Sequence, residues 1–447
     1  MVKVFPFHGI LYNKDKLKKN LSSLFAPPYD VINPEEQDAF YESNDFNFVR
    51  LILGKEFADD SEYNNKYVRS AAFLDGWLRH KILLQDKKPA LYIYEQRFFL
   101  GGRKFSRLGF IGLLRLEDMG KGKVFPHEDT YPKAKQDRLQ LMRSTACNLE
   151  SIFALFDDEN QKVEKLLKNA VKKRPFIEVT DKQRVTHRLW RADHKSVIGK
   201  IVKEMKDKAV FIADGHHRYE AAIRYKNELK LRNTKFSEEE AYNHMMVYFN
   251  SIEDKGLIVL PIHRVLRQLS FFDKERFKQE LAQYFYLTEY KAGKQSAPKT
   301  LRKLLRDMQK KGQAAHVFGL YMGEHKYYLL TLKDENSIEE MITEDKSKTW
   351  KKLDATIVHY AIFDRILGIA NQTAEKVVYT HNAEEAVKMV NEKGFQAAIL
   401  LNPTKISEIV AIASKLEKMP HKSTFFYPKL LSGLVVNKIV HGEKIKL

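Results

Sequence analysis

Cysteine is almost absent from this sequence, since Cys147 is the single one among 447 residues. One thiol can form neither an internal disulfide nor a thiolate zinc cage, which excludes secreted disulfide scaffolds and zinc-finger modules. Nowhere do about 18 apolar residues run together as a membrane span requires. Residues 1–20 also hold no apolar stretch of signal-peptide length. We therefore expect a soluble, cytoplasmic protein with no membrane partner.

Proline and glycine are also scarce, at 13 and 20 residues, whereas 44% of the chain is hydrophobic and 12% is aromatic. This composition excludes a disordered, collagen-like or low-complexity chain and is typical of a globular protein. At about 150 residues per domain, a chain of 447 residues predicts two or three folded domains. No linker rich in Pro, Gly or Ser marks a boundary. We place one near residue 270, which gives regions 1–270 and 271–447.

Positive charge exceeds negative charge, because 77 Lys and Arg residues stand against 58 Asp and Glu residues, a net charge of +19. This charge is compatible with nucleic acid, a membrane surface or small phosphorylated ligands as partners. The basic residues are dispersed, however, through segments such as 162–174, 299–311 and 346–352, where they alternate with apolar residues at helical spacing. That pattern favours the solvated outer faces of amphipathic helices.

Hydrophobic patterning predicts a mixed α/β fold of the α+β type in two lobes. Residues 91–100 and 105–116 predict two strands joined by a hairpin turn at 101–104. Residues 353–367 predict an amphipathic helix. At 209–231 a short apolar strand, an Asp-Gly turn and a helix follow one another closely. This strand–turn–helix segment is where we expect the chemistry.

The strand–turn–helix segment brings together Asp214, Gly215, His216, His217 and Arg218. The first amides of a helix lack internal partners and its dipole makes that end positive, so a phosphate placed there gains hydrogen bonds. Gly215 allows a ligand to approach closely, and Arg218 can contact phosphate oxygens in a bidentate manner. Asp214 remains open as a helix cap, a base or a magnesium ligand. Adjacent histidines diverge by about 100° and lack the i, i+4 spacing of a zinc site, which disfavours zinc.

Two further groups of polar residues could take part. Residues 127–138 hold three carboxylates, one histidine and three cations without a glycine, so they do not form a Walker loop. A charged surface loop and a catalytic loop remain alternative interpretations, and His127 and Glu128 are the residues to test first. Near the C-terminus, Lys422 and Ser423 offer cation and hydroxyl donors just before an aromatic strand.

Five ordered motifs carry a resemblance to a known family: APPYDVI at 26–32, HEDT with DR at 127–138, ADGHHRYEAA at 213–222, GLIVLPIHR at 256–264 and MPHKSTFFYPKLLSGL at 419–434. Over roughly residues 5 to 435, the chain resembles the bacterial and archaeal domain-of-unknown-function family numbered one thousand and fifteen. Through DGHHR that family is similar to the ParB/sulfiredoxin superfamily. This superfamily includes nucleotide-binding partition proteins, sulfiredoxin and the free serine kinases.

The resemblance implies a ParB/sulfiredoxin-like nucleotide-binding core in residues 1–270 and an α/β lobe in residues 271–447. It implies a nucleoside di- or triphosphate with magnesium, the metal being held by Asp214. The residues that would contact this nucleotide are Gly215, His217, His127, Thr130, Arg138, Lys422 and Ser423. The residues assigned to catalysis are Glu128, Asp214, His216 and Arg218, with Asp30 as a second candidate for the catalytic carboxylate. The sulfiredoxin cysteine is missing from the DGHHR turn, where His216 stands, which argues against sulfinic acid repair.

The leading hypothesis is a nucleotide-dependent kinase of a small hydroxylated metabolite, with free serine as one candidate. Arg218 and one histidine would stabilise the transferred phosphoryl group, and Glu128 would accept the hydroxyl proton. Two alternatives stay open. One is a ParB-like, nucleotide-switched nucleic-acid-binding protein, which the net charge favours and the lack of a recognisable helix-turn-helix disfavours. The other is a phosphoester hydrolase or nuclease.

Overall fold

Two larger sheets with helices packed against them form the fold in the computed structural model, which describes residues 2–17, 20–118 and 120–446. Contacts divide the chain into two compact units. The first unit comprises Met1–Pro126, Thr130–Ile258 and Pro428–Leu447, and the second comprises His127–Asp129 and Val259–Tyr427. The division near residue 270 stays a prediction about domains, while the contacts change unit after Ile258 and return the C-terminal segment to the first unit.

The strands are numbered in chain order. They are β1 Val4–Phe5, β2 Ile10–Tyr12, β3 Leu83–Gln85, β4 Leu91–Leu100, β5 Arg103–Arg115, β6 Val124–Phe125, β7 Cys147–Asn148, β8 Ile152–Phe156, β9 Ile177–Thr180, β10 Thr186–Ala192, β11 Val210–Asp214, β12 His244–Ser251, β13 Ile258–Leu260, β14 His263–Leu266, β15 Phe285–Lys291, β16 Val317–Tyr321, β17 Lys326–Leu332, β18 Val377–Thr380, β19 Ala397–Leu400, β20 Phe425–Tyr427 and β21 Asn437–Lys438.

The helices are numbered in the same way. They are α1 Pro34–Ser43, α2 Val49–Ile52, α3 Lys66–Arg79, α4 Pro132–Thr145, α5 Lys162–Ala170, α6 Lys195–Met205, α7 His216–Arg232, α8 Lys274–Tyr284, α9 Ala297–Lys311, α10 Glu335–Met341, α11 Lys348–Lys351, α12 Asp354–Ile357, α13 Thr373–Lys376, α14 Ala383–Glu392 and α15 Ile406–Ser414. Short 3₁₀ turns lie at Leu21–Leu24, Tyr29–Val31, Ala241–Asn243 and Ala370–Gln372, and a π-helix spans Val358–Ile366.

The first unit is built on a mixed sheet that, within the described residues, has nine strands in the order β6-β11-β8-β12-β5-β4-β10-β9, with β1 paired to β5. Every residue of β8 and of β12 is buried, so both faces of the sheet are covered at its centre. Helix α7 follows β11 directly and adds Tyr219, Ala221 and Ala222 to the apolar core. The sheet thus fixes the start of α7 at the end of β11, between the edge strand β6 and the buried strand β8.

The predicted hairpin is confirmed. β4 and β5 pair from Tyr92 opposite Ile111 to Leu100 opposite Arg103, which leaves a loop of Gly101 and Gly102. Both glycines have positive φ, +56° and +77°, as the tight turn between twisted strands requires. The predicted mixed α/β fold is confirmed as well.

The second unit contains a sheet whose strand order among the described residues is β15-β17-β16-β19-β14-β18. Its pairings are antiparallel, and α9 and α14 bury Leu304, Met308 and Ala386 against it. The helix predicted at 353–367 forms in a different way, because α12 ends at Ile357 and passes into the π-helix Val358–Ile366. None of the helices in the described part of the chain is long and apolar enough to cross a bilayer.

Candidate functional site

The strand–turn–helix segment forms as predicted, with β11 ending at Asp214 and α7 beginning at His216. The pairing of β11 with β8 shifts register between Ile212 and Asp214, and such bulges redirect the side chains that follow them. Gly215 has φ +91° and occupies the N-cap position, where a glycine offers no side chain to cap the helix. The first amides of this helix of 17 residues are therefore not capped by the N-cap residue.

Both the backbone conformation and the close packing at position 215 require a glycine. A Cβ added there would lie 2.9 Å from Arg218 Nη2 and 2.9 Å from Ile152 Cγ2. Its positive φ would strain any other residue in addition. Arg218 and Ile152 thus fill the space beside Gly215. The sequence predicted that a ligand could approach Gly215 closely, and on this side the structure leaves no room for one.

Asp214 lies between two cations. Its Oδ1 accepts a hydrogen bond from Lys429 Nζ at 2.9 Å, and its Oδ2 lies 3.5 Å from Arg218 Nη2. Burial alone would raise the pKa of this carboxyl, but Lys429 and Arg218 lower the pKa from 3.8 to about 2. The side chains of Asp214 and Lys429 are 19% and 16% exposed, so solvent reaches this pair. Asp214 is therefore an ionised carboxylate paired with cations and not the cap of α7.

The side chain of Arg218 is more deeply buried than those of Asp214 and Lys429. Its Nη1 donates to the Ser151 carbonyl at 2.5 Å, while its buried Nε has no hydrogen-bond partner among the described residues. Burial lowers the pKa of this guanidinium, yet the neighbouring Glu150 and Asp214 raise it above its ordinary value. The cation is thus fixed in place with one donor still unsatisfied.

Glu150 joins Arg218 to a second arginine. Its Oε2 lies 3.7 Å from Arg138 Nη1, and its Oε1 accepts from Ser432 Oγ at 2.8 Å. Burial raises the pKa of Glu150, although Arg218 and Arg138 act to lower it. The guanidinium of Arg138 also lies 3.7 Å from the centre of the Tyr29 ring. Two arginines therefore share one buried carboxyl.

The charges continue outward from Arg138. Its Nε donates to Asp137 Oδ2 at 2.9 Å, and Asp137 Oδ1 lies 2.8 Å from Lys66 Nζ. We call this series of alternating charges the ion-pair chain; Arg218 and Glu150 line the same small cavity, and each of the other neighbouring pairs lies within 4 Å. Its members are Lys429, Asp214, Arg218, Glu150, Arg138, Asp137 and Lys66.

A small cavity lies next to the ion-pair chain. It is lined by Pro28, Tyr94, Glu150, Arg218 and Ser432 among others, and its volume is about 20 Å³. That volume holds about one water molecule, and it is too small for a phosphate group. The face open to a larger ligand is therefore the exposed edge at Asp214 and Lys429.

The two histidines of α7 differ in environment, as adjacent helical positions should. His216 is buried, whereas His217 is half-buried and its Nε2 accepts a hydrogen bond from the Tyr131 amide at 2.9 Å. The rings of His217 and Tyr131 are nearly parallel, at 12°. Thr130, which precedes Tyr131, is half-exposed. His217 thereby connects the start of α4 with the start of α7.

The remaining predicted residues lie in the second unit. His127 Nε2 lies 3.2 Å from Thr424 Oγ1, and the His127 carbonyl accepts from the Met419 amide at 2.7 Å. Glu128 pairs with Met419 in a parallel bridge. The loop that carries His127 and Glu128 therefore contacts the segment around Met419 and Thr424.

Lys422 and Ser423 have structural contacts in that unit. The Lys422 carbonyl accepts from Arg264 Nη2 at 3.2 Å, and Lys422 has a positive φ of 56°. The Ser423 hydroxyl donates to the Pro420 carbonyl at 2.5 Å. Their assignment to nucleotide binding stays a prediction.

The predicted residues thus fall into two groups. The first unit holds Thr130, Arg138, Asp214, Gly215, His216, His217 and Arg218, and the second holds His127, Glu128, Lys422 and Ser423. Sequence reasoning did not single out Lys429, Glu150, Tyr29 or Ser432, which the structure adds to the first group.

Some of these added residues could have been found from the sequence, and others could not. Lys429 and Ser432 lie inside the motif at 419–434, so weighing every cation and hydroxyl of that motif would have included them. Glu150 stands between Leu149 and Ser151 with no local pattern around it. For metals, no cluster of three or more His, Cys, Asp or Glu side chains that could hold an ion occurs in residues 2–17, 20–118 and 120–446.

The fold and this site define a mixed α/β protein with a buried ion-pair chain beside one strand–turn–helix. The chain belongs to the family described as "Protein of unknown function (DUF1015)", whose model matches residues 4–356. No curated protein matches the chain.

Several solved structures are similar at low identity. A mutant free serine kinase in complex with ADP is 11% identical, with a TM-score of 0.34, over 73% of this chain and 89% of that chain. A conserved hypothetical protein from Pyrococcus furiosus is 12% identical, with a TM-score of 0.32, over 69% and 89%. SbnI with a C-terminal truncation, from Staphylococcus aureus, is 12% identical, with a TM-score of 0.30, over 69% and 82%. Similarity at this level does not transfer a function to this chain.

Proposed function

We propose that this protein is a nucleotide-dependent phosphotransferase that acts on a small hydroxylated metabolite, with free serine as the first acceptor to test. The observation that carries the proposal is the exposed edge at the start of α7, where Lys429 and Arg218 flank Asp214. Phosphate oxygens pair with both of these cations and with the start of a helix.

Charge at the exposed edge supports the same site. The start of α7 contributes the positive end of its dipole, equivalent to about half an elementary charge, and Lys429 and Arg218 add two cations. Asp214 is the carboxylate that holds both cations in position. A bound nucleotide phosphate would compete with Asp214 for Lys429, which is 16% exposed.

The low pKa of Asp214 separates two roles that the sequence left open. A general base works best when its pKa lies near the operating pH, and the pKa of Asp214 is about 2. Asp214 is therefore better suited to hold cations than to accept a proton. Magnesium commonly takes one or two carboxylates together with substrate phosphates, so one carboxylate fits a nucleotide-linked magnesium ion.

In the reaction, the bond between the transferred phosphorus and the nucleotide's leaving oxygen breaks, and a new bond forms to the acceptor hydroxyl oxygen. The hydroxyl proton must go to a base. Phosphoryl transfer depends mainly on positioning and on neutralising charge, which Lys429 and Arg218 can supply. Glu128 stays the base predicted from the sequence, and Glu128→Gln tests that assignment by itself.

The experiment is a phosphoryl-transfer assay with ATP and with ADP against serine, other hydroxylated amino acids and simple sugars. Lys429→Ala should lower turnover by about 10²-fold, because it removes one preorganised cation. Lys444→Ala is the matched control, since Lys444 is an exposed lysine of the same C-terminal segment. Unchanged turnover in Lys429→Ala, with the wild-type protein active, would remove the proposed phosphate site.

Two further measurements distinguish the kinase from a hydrolase and from a nucleic-acid-binding protein. Phosphate release from nucleotide or oligonucleotide without an acceptor would favour a hydrolase. Nucleic-acid binding that survives about 200 mM salt would favour a ParB-like binding protein, since diffuse electrostatic binding weakens strongly at that concentration. Membership of the ParB/sulfiredoxin superfamily, cytoplasmic location and nucleic-acid binding stay predictions.

A further inference from the structure

The first unit has a second concave region, which we call the Phe176 pocket. Its volume is about 980 Å³, close to the upper end of the range for small-molecule sites, about 300–1,000 Å³. It shares no residue with the ion-pair chain or the start of α7. The lining residues that matter are Lys14, Lys173, Arg174, Phe176, Trp190 and Arg191.

Two cations lie over one aromatic ring in this pocket. Lys14 Nζ is 4.4 Å and Arg191 Cζ is 3.6 Å from the centre of the Phe176 ring. The ring attracts both cations through its quadrupole, but the two like charges repel each other. An anion bound beside these cations would offset that repulsion.

Most of the charge in the pocket is uncompensated. Arg191 pairs with Asp86 at 2.7 Å, and Glu178, the acidic lining residue, pairs with Arg188 at 3.1 Å. By contrast, no carboxylate of the described residues lies within ion-pair distance of three other lining cations, Lys14, Lys173 and Arg174. The pocket therefore carries about three positive charges that lack a partner.

The wall of the pocket is held in place by the sheet. Trp190, a buried residue of β10, donates from Nε1 to the Lys173 carbonyl at 2.7 Å. The Phe176 amide donates to the Leu189 carbonyl at 2.7 Å. The segment that carries Lys173 and Arg174 is thus anchored at both ends, so part of the ordering cost of binding is already met.

We propose that the Phe176 pocket binds a small organic polyphosphate, a metabolite with two or three phosphate groups. Three unpaired cations, all exposed at the rim of an open concave region, match a ligand of about three negative charges that binds from solvent. The cations converge on one cavity, whereas a nucleic-acid backbone requires a groove that it can follow. This proposal is independent of the phosphotransferase reaction.

Isothermal titration calorimetry with inorganic tripolyphosphate tests the site at about 150 mM salt, where longer-range attraction is screened. All proteins carry Lys429→Ala so that the start of α7 does not contribute. Lys173→Ala and Arg174→Ala should each weaken binding roughly tenfold, as the loss of one charge-assisted contact does. Lys168→Ala is the control, because Lys168 is exposed, pairs with Glu164 at 2.7 Å and loses the same charge.

ATP and a sugar bisphosphate serve as further ligands that distinguish a nucleotide from a sugar phosphate as the source of the phosphates. The proposal is overturned if none of the three ligands binds, or if Lys168→Ala weakens binding as much as Lys173→Ala does. Tighter binding of an oligouridylate than of tripolyphosphate, lost in the same variants, would also overturn it in favour of a nucleic-acid surface.

Discussion

Removal of the Glu150 carboxyl should destabilise the first unit more than the loss of any exposed ion pair. Glu150 lies 3.7 Å from Arg138, which at an effective dielectric constant of about 20 corresponds to an attraction of about 4.5 kcal/mol. Burial nevertheless raises the pKa of Glu150, because removing the carboxylate from water disfavours its ionised form more strongly than Arg218 and Arg138 favour it. The pair itself therefore adds little, and the damage comes from two buried guanidiniums that lose the carboxylate between them, while Arg138 keeps Asp137 and Arg218 keeps Asp214.

Breaking a buried pair by removing one partner costs about 3–5 kcal/mol, so we expect Glu150→Ala to lower the free energy of unfolding by that amount. Glu150→Gln should cost less, because its amide oxygen can still accept from Ser432. The control is Glu228→Ala. Glu228 pairs with Arg143, but both side chains are about a third exposed, and such pairs contribute about 0–1 kcal/mol.

The assay is urea denaturation at pH 7 followed by tryptophan fluorescence. The chain has three tryptophans, of which Trp77 and Trp190 lie in the first unit and Trp350 lies in the second. Measurements in a Trp350→Phe background therefore report on the first unit. Because Trp77 and Trp190 are buried, their emission should shift when that unit unfolds.

Two results would refute the reasoning. A loss below about 1 kcal/mol in Glu150→Ala would show that the two guanidiniums find water or other partners when the carboxyl is gone. Equal losses in Glu150→Ala and Glu228→Ala would show that burial does not determine the effect. The double variant Glu150→Ala with Arg138→Met should be less destabilised than the sum of the single changes, because one stranded charge is removed.

Three further outcomes follow from single residues. The pKa of Asp214 is lowered from 3.8 to about 2, so the stabilisation from its ion pairs is present above pH 3.8 and is lost as the pH falls towards 2. In Asp214→Asn, the acid-dependent loss of unfolding free energy should therefore be smaller by about 2 kcal/mol in denaturation curves. An unchanged pH dependence below pH 4 would contradict the pairing. Burial raises the pKa of Cys147 to about 12, so a thiol reagent at pH 8 should label it only after unfolding, and rapid labelling of the native protein would show that the thiol is accessible. Gly215→Ala should lower stability by more than about 1 kcal/mol in urea titrations, because its φ of +91° and the contacts with Arg218 and Ile152 leave no room for a methyl group; a neutral effect would mean that the turn can rearrange.

Local elements could be predicted from the sequence because their signals are local. The Gly101–Gly102 turn determines a tight hairpin, and the strand, turn and helix around Gly215 form within a residue of their predicted ends. The π-helix after Ile357 could not be predicted in this way. Its widened turns, such as the Leu367 amide donating to the Ile362 carbonyl, have no separate sequence period.

The candidate site could be predicted only in part, for a related reason. Asp214, His217 and Arg218 lie on one short segment whose pattern is visible in the sequence. Their partners come from distant parts of the chain, and Lys429 is 215 positions from Asp214. Such pairings depend on how the strands are ordered in the sheet, which hydrophobic patterning does not specify.

The route of the chain has a consequence for how the protein matures. Residues 428–447 belong to the first unit, although the whole of 259–427 is synthesised before them. This late segment supplies Lys429, and its strand β21 pairs with β7. Gln96 Nε2 of β4 also donates to the Lys429 carbonyl at 2.8 Å. This contact of an early strand can therefore form only after Lys429 has been synthesised. During synthesis, the first unit therefore begins to emerge early, but it is completed only after residues 428–438 have been made.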